Sequence, residues 1–331
     1  MEISCRACPS STYNGADGTL MVMTSGGDDL NFGYDSLKRL SSRSSPVLRL
    51  DYDYRALDGT VTTTQVERIR YRDPLSGVTL LPALSYAYDA GGNITSVAAD
   101  GGDTVSYSYD AQNQLVSESS SSEAWNYAYD TYGNIRSITR RSLSGGTEST
   151  ISLEYCSGDG LDMIKSVSCT DSSGTTVSGT YTYDAMGNPL RYFNGDSTWN
   201  LTWKYGRYLS AASDGTDSIS YTYDADGIRQ TKTVNGTEHE YVTLDGKVVR
   251  ETYGTTTVDY FYDNEGKPYK ISVDWGGTVY TGYYALNQQG DVIAILNDSG
   301  AAVVRYSYNG WGYETGHTTS TVTGLRLYQY N

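Results

Sequence analysis

Tyrosines alternate with other residues in short runs along most of the chain. Pairs two positions apart recur at Tyr86/Tyr88, Tyr107/Tyr109, Tyr127/Tyr129, Tyr181/Tyr183, Tyr221/Tyr223, Tyr260/Tyr262 and Tyr306/Tyr308. In an extended strand such residues share one face, so each pair predicts a strand with an aromatic side. The segments between pairs have strand length and are rich in Thr, Val and Tyr, as in "TEHEYVTL" and "TTTVDYFY". No apolar stripe with the i, i+3, i+4, i+7 spacing of a helix is present.

A turn signal follows most pairs. Asp89 to Gly92, Asp130 to Gly133, Asp184 to Gly187, Asp224 to Gly227 and Asp263 to Gly266 each read Asp, two free positions, Gly. Asn replaces the Asp before Gly290 and before Gly312, and Asn113 replaces the Gly after Asp110. An Asp or Asn at the first position bonds the turn backbone, and Gly at the fourth takes positive φ without a Cβ clash. The segment Asp35-Ser36-Leu37-Lys38 departs from this pattern. Asn194-Gly195, Asn235-Gly236 and Asp245-Gly246 read as two-residue hairpin turns with positive φ at both positions.

These signals predict an all-β fold: repetitive antiparallel hairpins joined edge to edge into one continuous curved sheet. Cross-strand aromatic neighbours, at about 0.2–1 kcal/mol each, would stand in for a conventional core. The expected bounds are an irregular segment or partial repeat over 1–31, the repeats over 32–316, and a truncated terminal strand over 317–331.

Composition agrees with an extended or hollow architecture. The chain has 331 residues with 33 Tyr but only 3 Phe, and its hydrophobic share of 38% includes those tyrosines. The net charge of −15 and the lack of a basic cluster argue against nucleic acid and anionic membranes as partners. The longest aliphatic run, Val292 to Leu296, is far too short to span a bilayer as a helix. The N-terminus carries no signal-peptide pattern.

Candidate chemistry is sparse. Cys5 and Cys8 have no second pair at zinc-site spacing. A hairpin around "SGDGLD" would leave Cys156 and Cys169 about five residues out of register, too far for a disulfide at about 3.3 Å per residue. Asp73-Pro74 reads as an ordinary turn start. With only His239 and His317 available, a hydrolase triad has no support. No catalytic, cofactor-binding or metal-binding residue is assigned. The tyrosines, Asp and Gly residues of the repeat are structural.

The repeats "YDAGGNITSV", "YDTYGNIRSI" and "YDAMGNPLRY" resemble those of the Rhs/YD-repeat family. The stretch Asn287 to Gly312, "NQQGDVIAILNDSGAAVVRYSYNGWG", with Gly290 and Asp291, is similar to the Rhs-core segment that follows the last ordinary repeats. The resemblance covers roughly 32–331. It implies a spiral sheet that builds a hollow shell. Bacterial members enclose a variable C-terminal toxin or effector, and eukaryotic relatives use a similar barrel in cell adhesion. A self-cleaving closing segment would be expected just after "LRLYQYN". The resemblance therefore implies a non-enzymatic shell segment, secreted or at the cell surface, whose partner is a C-terminal effector absent from this chain. The competing reading is a surface module that binds choline or glycans through stacking and cation–π contacts. Such modules would be expected to lean on Trp, which numbers 5 here.

Overall fold

The computed structural model describes residues 9–57, 61–146, 148–157 and 162–319. Cys5, Cys8 and most of the expected terminal strand lie outside the described residues. Among those described there is no helix, and twenty-nine strands run from β1 (Ser10–Tyr13) to β29 (Glu314–Thr319). They follow chain order in two ladders, β1 to β15 (Thr176–Thr180) and β16 (Thr182–Tyr183) to β29. The fold is all-β and antiparallel. Strands β1 and β2 (Leu20–Ser25) already occupy part of the segment read as irregular or a partial repeat.

The expected single sheet is interrupted once, at Tyr181. Its N–H still bonds backward, to the Lys165 carbonyl one position beyond the Ser166–Thr180 pair, while the second ladder starts at Thr182. Phe193 lies against Gly179 so closely that a Cβ there would stand 2.2 Å from the Phe193 Cβ. The absence of a side chain at Gly179 lets β15 lie close beside β17 (Pro189–Phe193).

The repeat turn has one construction throughout. At Asp89, the Asp N–H donates to the Asn93 carbonyl and the Gly92 N–H donates back to the Asp89 carbonyl. Gly92 takes φ +89°, and the strand register slips by one residue at Tyr88. This is a type I turn closed by a left-handed residue that forms a bulge. Asn113 takes the left-handed position at φ 61°. Lys38 does the same at φ 64°, so the segment that seemed to break the rule makes the same turn with a strained residue. Asp171 to Gly174 and Asn297 to Gly300 are further copies. Asn235-Gly236 and Asp245-Gly246 have positive φ at both positions. At Asn194 the expectation fails. Its side chain caps the N–H groups of Asp196 and Ser197, which makes a four-residue turn with positive φ only at Gly195.

The chain divides into two compact units. One comprises Met1–Thr104 with Thr255–Asn331, and the other Val105–Gly254. In the first, the early and late segments share a core. Leu48, Leu50, Ile69 and Tyr71 pack with Ala285, Ala294 and Leu296, while Met23 and Leu30 pack with Phe261 and Tyr269. Arg43 and Asp263, 220 positions apart, form a buried ion pair at 2.5 Å. In the second unit the buried set is thin, and includes Leu115, Tyr127, Val167, Phe193 and Ala212. Most of its tyrosines are half-buried.

Candidate functional surface

The turn fixes the second tyrosine of each pair at the bulge, where its ring reaches along the sheet. In at least five of the seven pairs its hydroxyl then donates to a backbone carbonyl of a preceding strand. Tyr88 donates to Val66 (2.7 Å), Tyr129 to Leu115 (2.6 Å), Tyr183 to Ile164 (2.7 Å), Tyr223 to Leu209 (2.8 Å) and Tyr308 to Val292 (2.8 Å). Tyr54 and Tyr155 make the same contact with Leu40 and Ile135, and the Trp203 indole N–H makes it with Pro189. In most cases the acceptor is the first strand residue after the preceding turn, where the bulge has opened the ladder. Phe has the ring but not this donor, which accounts for the excess of Tyr over Phe.

The first tyrosines of the pairs have varied roles. Tyr86 is buried and its oxygen accepts the Gln288 N–H at 3.1 Å. Tyr127 donates to buried Glu118 at 2.8 Å; burial, then this bond, raises its phenol well above the ordinary range. Tyr181 donates to the Phe193 carbonyl. Tyr221 lies under the Arg229 guanidinium, and Tyr260 is buried. Tyr107 is half-buried in its strand, as are Tyr109 and Tyr262, the second tyrosines of their pairs. Tyr306 stacks on Tyr308. Ring pairs also occur at Tyr208/Tyr223 and Tyr181/Tyr192, but the contact that recurs from repeat to repeat is hydroxyl to carbonyl.

The repeat carboxylates are consumed by their turns. Asp89, Asp130 and Asp184 each accept the N–H and the carboxamide of the residue four positions on. The Asn188 carboxamide, then its N–H, holds the Asp184 carboxyl below the usual range. Asp110 and Asp224 cap their turns through N–H groups. Asp263 spends one oxygen on its turn and the other on Arg43. Asn287 exchanges two bonds with Asp291. Asp73 caps the N–H groups of Leu75 and Ser76.

His239 has its Nδ1 2.7 Å from Glu251 and stacks on Tyr253. Tyr241 donates to the same carboxylate, and burial followed by the Glu251 charge pushes its phenol up to about 12. Arg229 lies over both Tyr221 and Tyr241. Other ring faces are likewise covered by the chain's own cations, as at Arg39/Tyr54 and Arg140/Trp125. A choline-type ligand would have to displace them. Among the described residues, no group of three or more His, Cys, Asp or Glu side chains is placed to hold a metal. No helix is long and apolar enough to cross a membrane. Cys156 faces Met163 while Cys169 pairs with Ile151, and both thiols are free.

Comparison with known proteins agrees with this geometry. A family model described as Teneurin YD-shell matches residues 80–316. The tRNA3(Ser)-specific nuclease WapA of Bacillus spizizenii is 28% identical over 294 residues, covering 74% of this chain and 12% of the relative. The tRNA nuclease WapA of Bacillus subtilis strain 168 is 28% identical over 293 residues, with the same shares. Among solved structures, the TcdB2–TccC3–Cdc42 crystal structure matches with a TM-score of 0.64 at 17% identity, covering 94% of this chain and 18% of that one. The Photorhabdus luminescens Tc holotoxin pore matches at 0.61 and 17% identity, with the same coverage. Identities this low speak for the fold alone. The chain spans about an eighth of the length of the curated relatives it matches.

Proposed function

The chain belongs to the Teneurin YD-shell family, and from this premise we propose that it forms part of a wall around a C-terminal effector of a longer protein. It is an Rhs/YD-repeat shell segment. The observation that carries the proposal is the repeated hydroxyl-to-carbonyl bond, which braces neighbouring hairpins against one another within each unit. In this reading the repeat residues do no covalent chemistry. The Asp carboxylates cap turns, the tyrosine hydroxyls brace strands, and cations cover several of the rings. The nuclease names of the relatives fit an effector carried elsewhere in such a protein, since the match covers only a small part of each relative. The proposed setting is secretion or display at the cell surface.

The test uses the full-length protein. Limited proteolysis should digest the isolated C-terminal region rapidly and the same region within the native full-length protein much more slowly. Equal rates would sink the enclosure reading.

A further inference from the structure

A second surface lies in the first unit, on the sheet face opposite its core. It involves β3 (Asp28–Tyr34), β4 (Leu40–Ser44), β5 (Arg49–Leu57) and β6 (Val61–Arg72). The registers align two rows across these strands. One runs Asn31, Ser44, Arg49, Arg72; the other runs Gly33, Ser42, Asp51, Arg70. At about 4.8 Å between strands, each row spans roughly 14 Å. A groove of about 460 Å³ lies over the Asn31 end, with Arg49 on its wall, Pro46, Pro74 and Leu75 among its lining, and the Asp29 carboxylate, which accepts the Thr24 hydroxyl, also on its edge.

Three features mark it as a place for a ligand. Gly33 leaves the floor open, because a Cβ there would stand 2.5 Å from the Ser42 hydroxyl. The Asn31 carboxamide and the Ser42 hydroxyl face the groove without a hydrogen-bond partner among the described residues. Arg49 donates its Nε to Asp51 at 2.7 Å, and its side chain is 45% exposed. Arg72 stands directly opposite Arg49 and reaches the same Asp51 only at 4.0 Å. Like charges facing across strands are unfavourable, so one carboxylate shared by two guanidiniums favours a further anion. Leu75 is 94% exposed on a lip made rigid by the Asp73 cap.

We infer that this groove binds an acidic saccharide. Its carboxylate would take the Arg49 fork, its hydroxyls Asn31, Ser42 and Ser44, and a ring C–H face the Pro74–Leu75 lip. Guanidinium forks match carboxylates in geometry and charge. A peptide fits less well. The backbone groups of β3 and β4 are committed to ladders on both sides, so the floor offers side-chain hydroxyls and an amide but no strand edge. The volume lies within the range of about 300–1,000 Å³ usual for small-ligand sites. This surface uses neither the tyrosines nor the effector, so it is independent of the shell reading.

The experiment is calorimetric titration of the whole chain with sialyllactose and with a glucuronate-containing disaccharide, beside lactose as the neutral control. At least one acidic sugar should bind tenfold or more tightly than lactose. Arg49→Gln should remove that preference while the circular dichroism spectrum and thermal midpoint stay unchanged. Asn31→Leu, at an exposed position, should weaken binding tenfold and reads the same groove if the first variant folds poorly. The inference is overturned by lactose binding equally well, by no acidic sugar binding at millimolar concentration, or by folded variants that bind as the parent does.

Discussion

Replacing Tyr223 by Phe deletes one hydroxyl and leaves the ring in place. The lost bond is the 2.8 Å donation to the Leu209 carbonyl. A typical intramolecular hydrogen bond contributes about 0.5–1.5 kcal/mol net. Tyr223 is half-buried, so water can partly replace the lost donor, which points to about 0.5–1 kcal/mol. The triple variant Tyr129→Phe, Tyr183→Phe and Tyr223→Phe removes three such bonds to Leu115, Ile164 and Leu209. These sites share no partner, so their effects should add to about 1.5–3 kcal/mol. Tyr205→Phe is the control, because that ring is 89% exposed on a turn. Urea unfolding followed by far-ultraviolet circular dichroism should show the triple variant destabilised and the control within about 0.3 kcal/mol of the parent. If the triple variant unfolds with the control, the tyrosines act through their rings alone and the bracing argument fails.

Three further outcomes follow from the same structure. Lys38→Gly relieves a left-handed non-glycine residue at φ 64° and should stabilise the chain by about 0.5–1 kcal/mol in urea unfolding; a loss would mean that the turn strain is misjudged. Arg43→Met strands buried Asp263 and should cost about 3 kcal/mol or more, so unfolding at an unchanged urea midpoint would show that the pair is not an essential tie. Burial first of all pushes the phenols of Tyr241, Tyr269 and Tyr306 up to about 12, from the ordinary 10.0. Their folded state favours the neutral form, so this stability is full below pH 10 and is lost as the pH rises towards 12. Tyrosinate absorbance and circular dichroism should therefore change together across that window; smooth ionisation at the ordinary value in a chain that remains folded would refute it.

Much of the repeat was legible because its signals are local. Asp, Gly and the paired tyrosines lie within one turn and its flanking strand, and their chemistry dictates the bulge. Lys38 was misleading because surrounding bonds hold a disfavoured residue in the position that Gly takes elsewhere. Trp203 was missed as a substitute for the bracing tyrosine because the pattern was read by residue type, not by the donor it supplies. The hydroxyl-to-carbonyl contact itself depends on which carbonyls the bulges leave open, and strand spacing alone does not give that. The turn at Asn194 depends on side-chain capping of the Asp196 and Ser197 N–H groups, and the close approach of Phe193 to Gly179 brings together positions with no shared sequence pattern. The tie between Arg43 and Asp263 was invisible because no sequence pattern links positions 220 residues apart. The groove at Asn31 and Arg49 emerges only when four strands fall into register.

The most direct test of the account is an electron cryo-microscopy map of the full-length protein. It should show residues 32–316 as a continuous part of a wall, with density for the C-terminal effector on its inner side and each bracing tyrosine within hydrogen-bond reach of its carbonyl. An effector lying wholly outside that wall, or repeats that do not join into one, would contradict it.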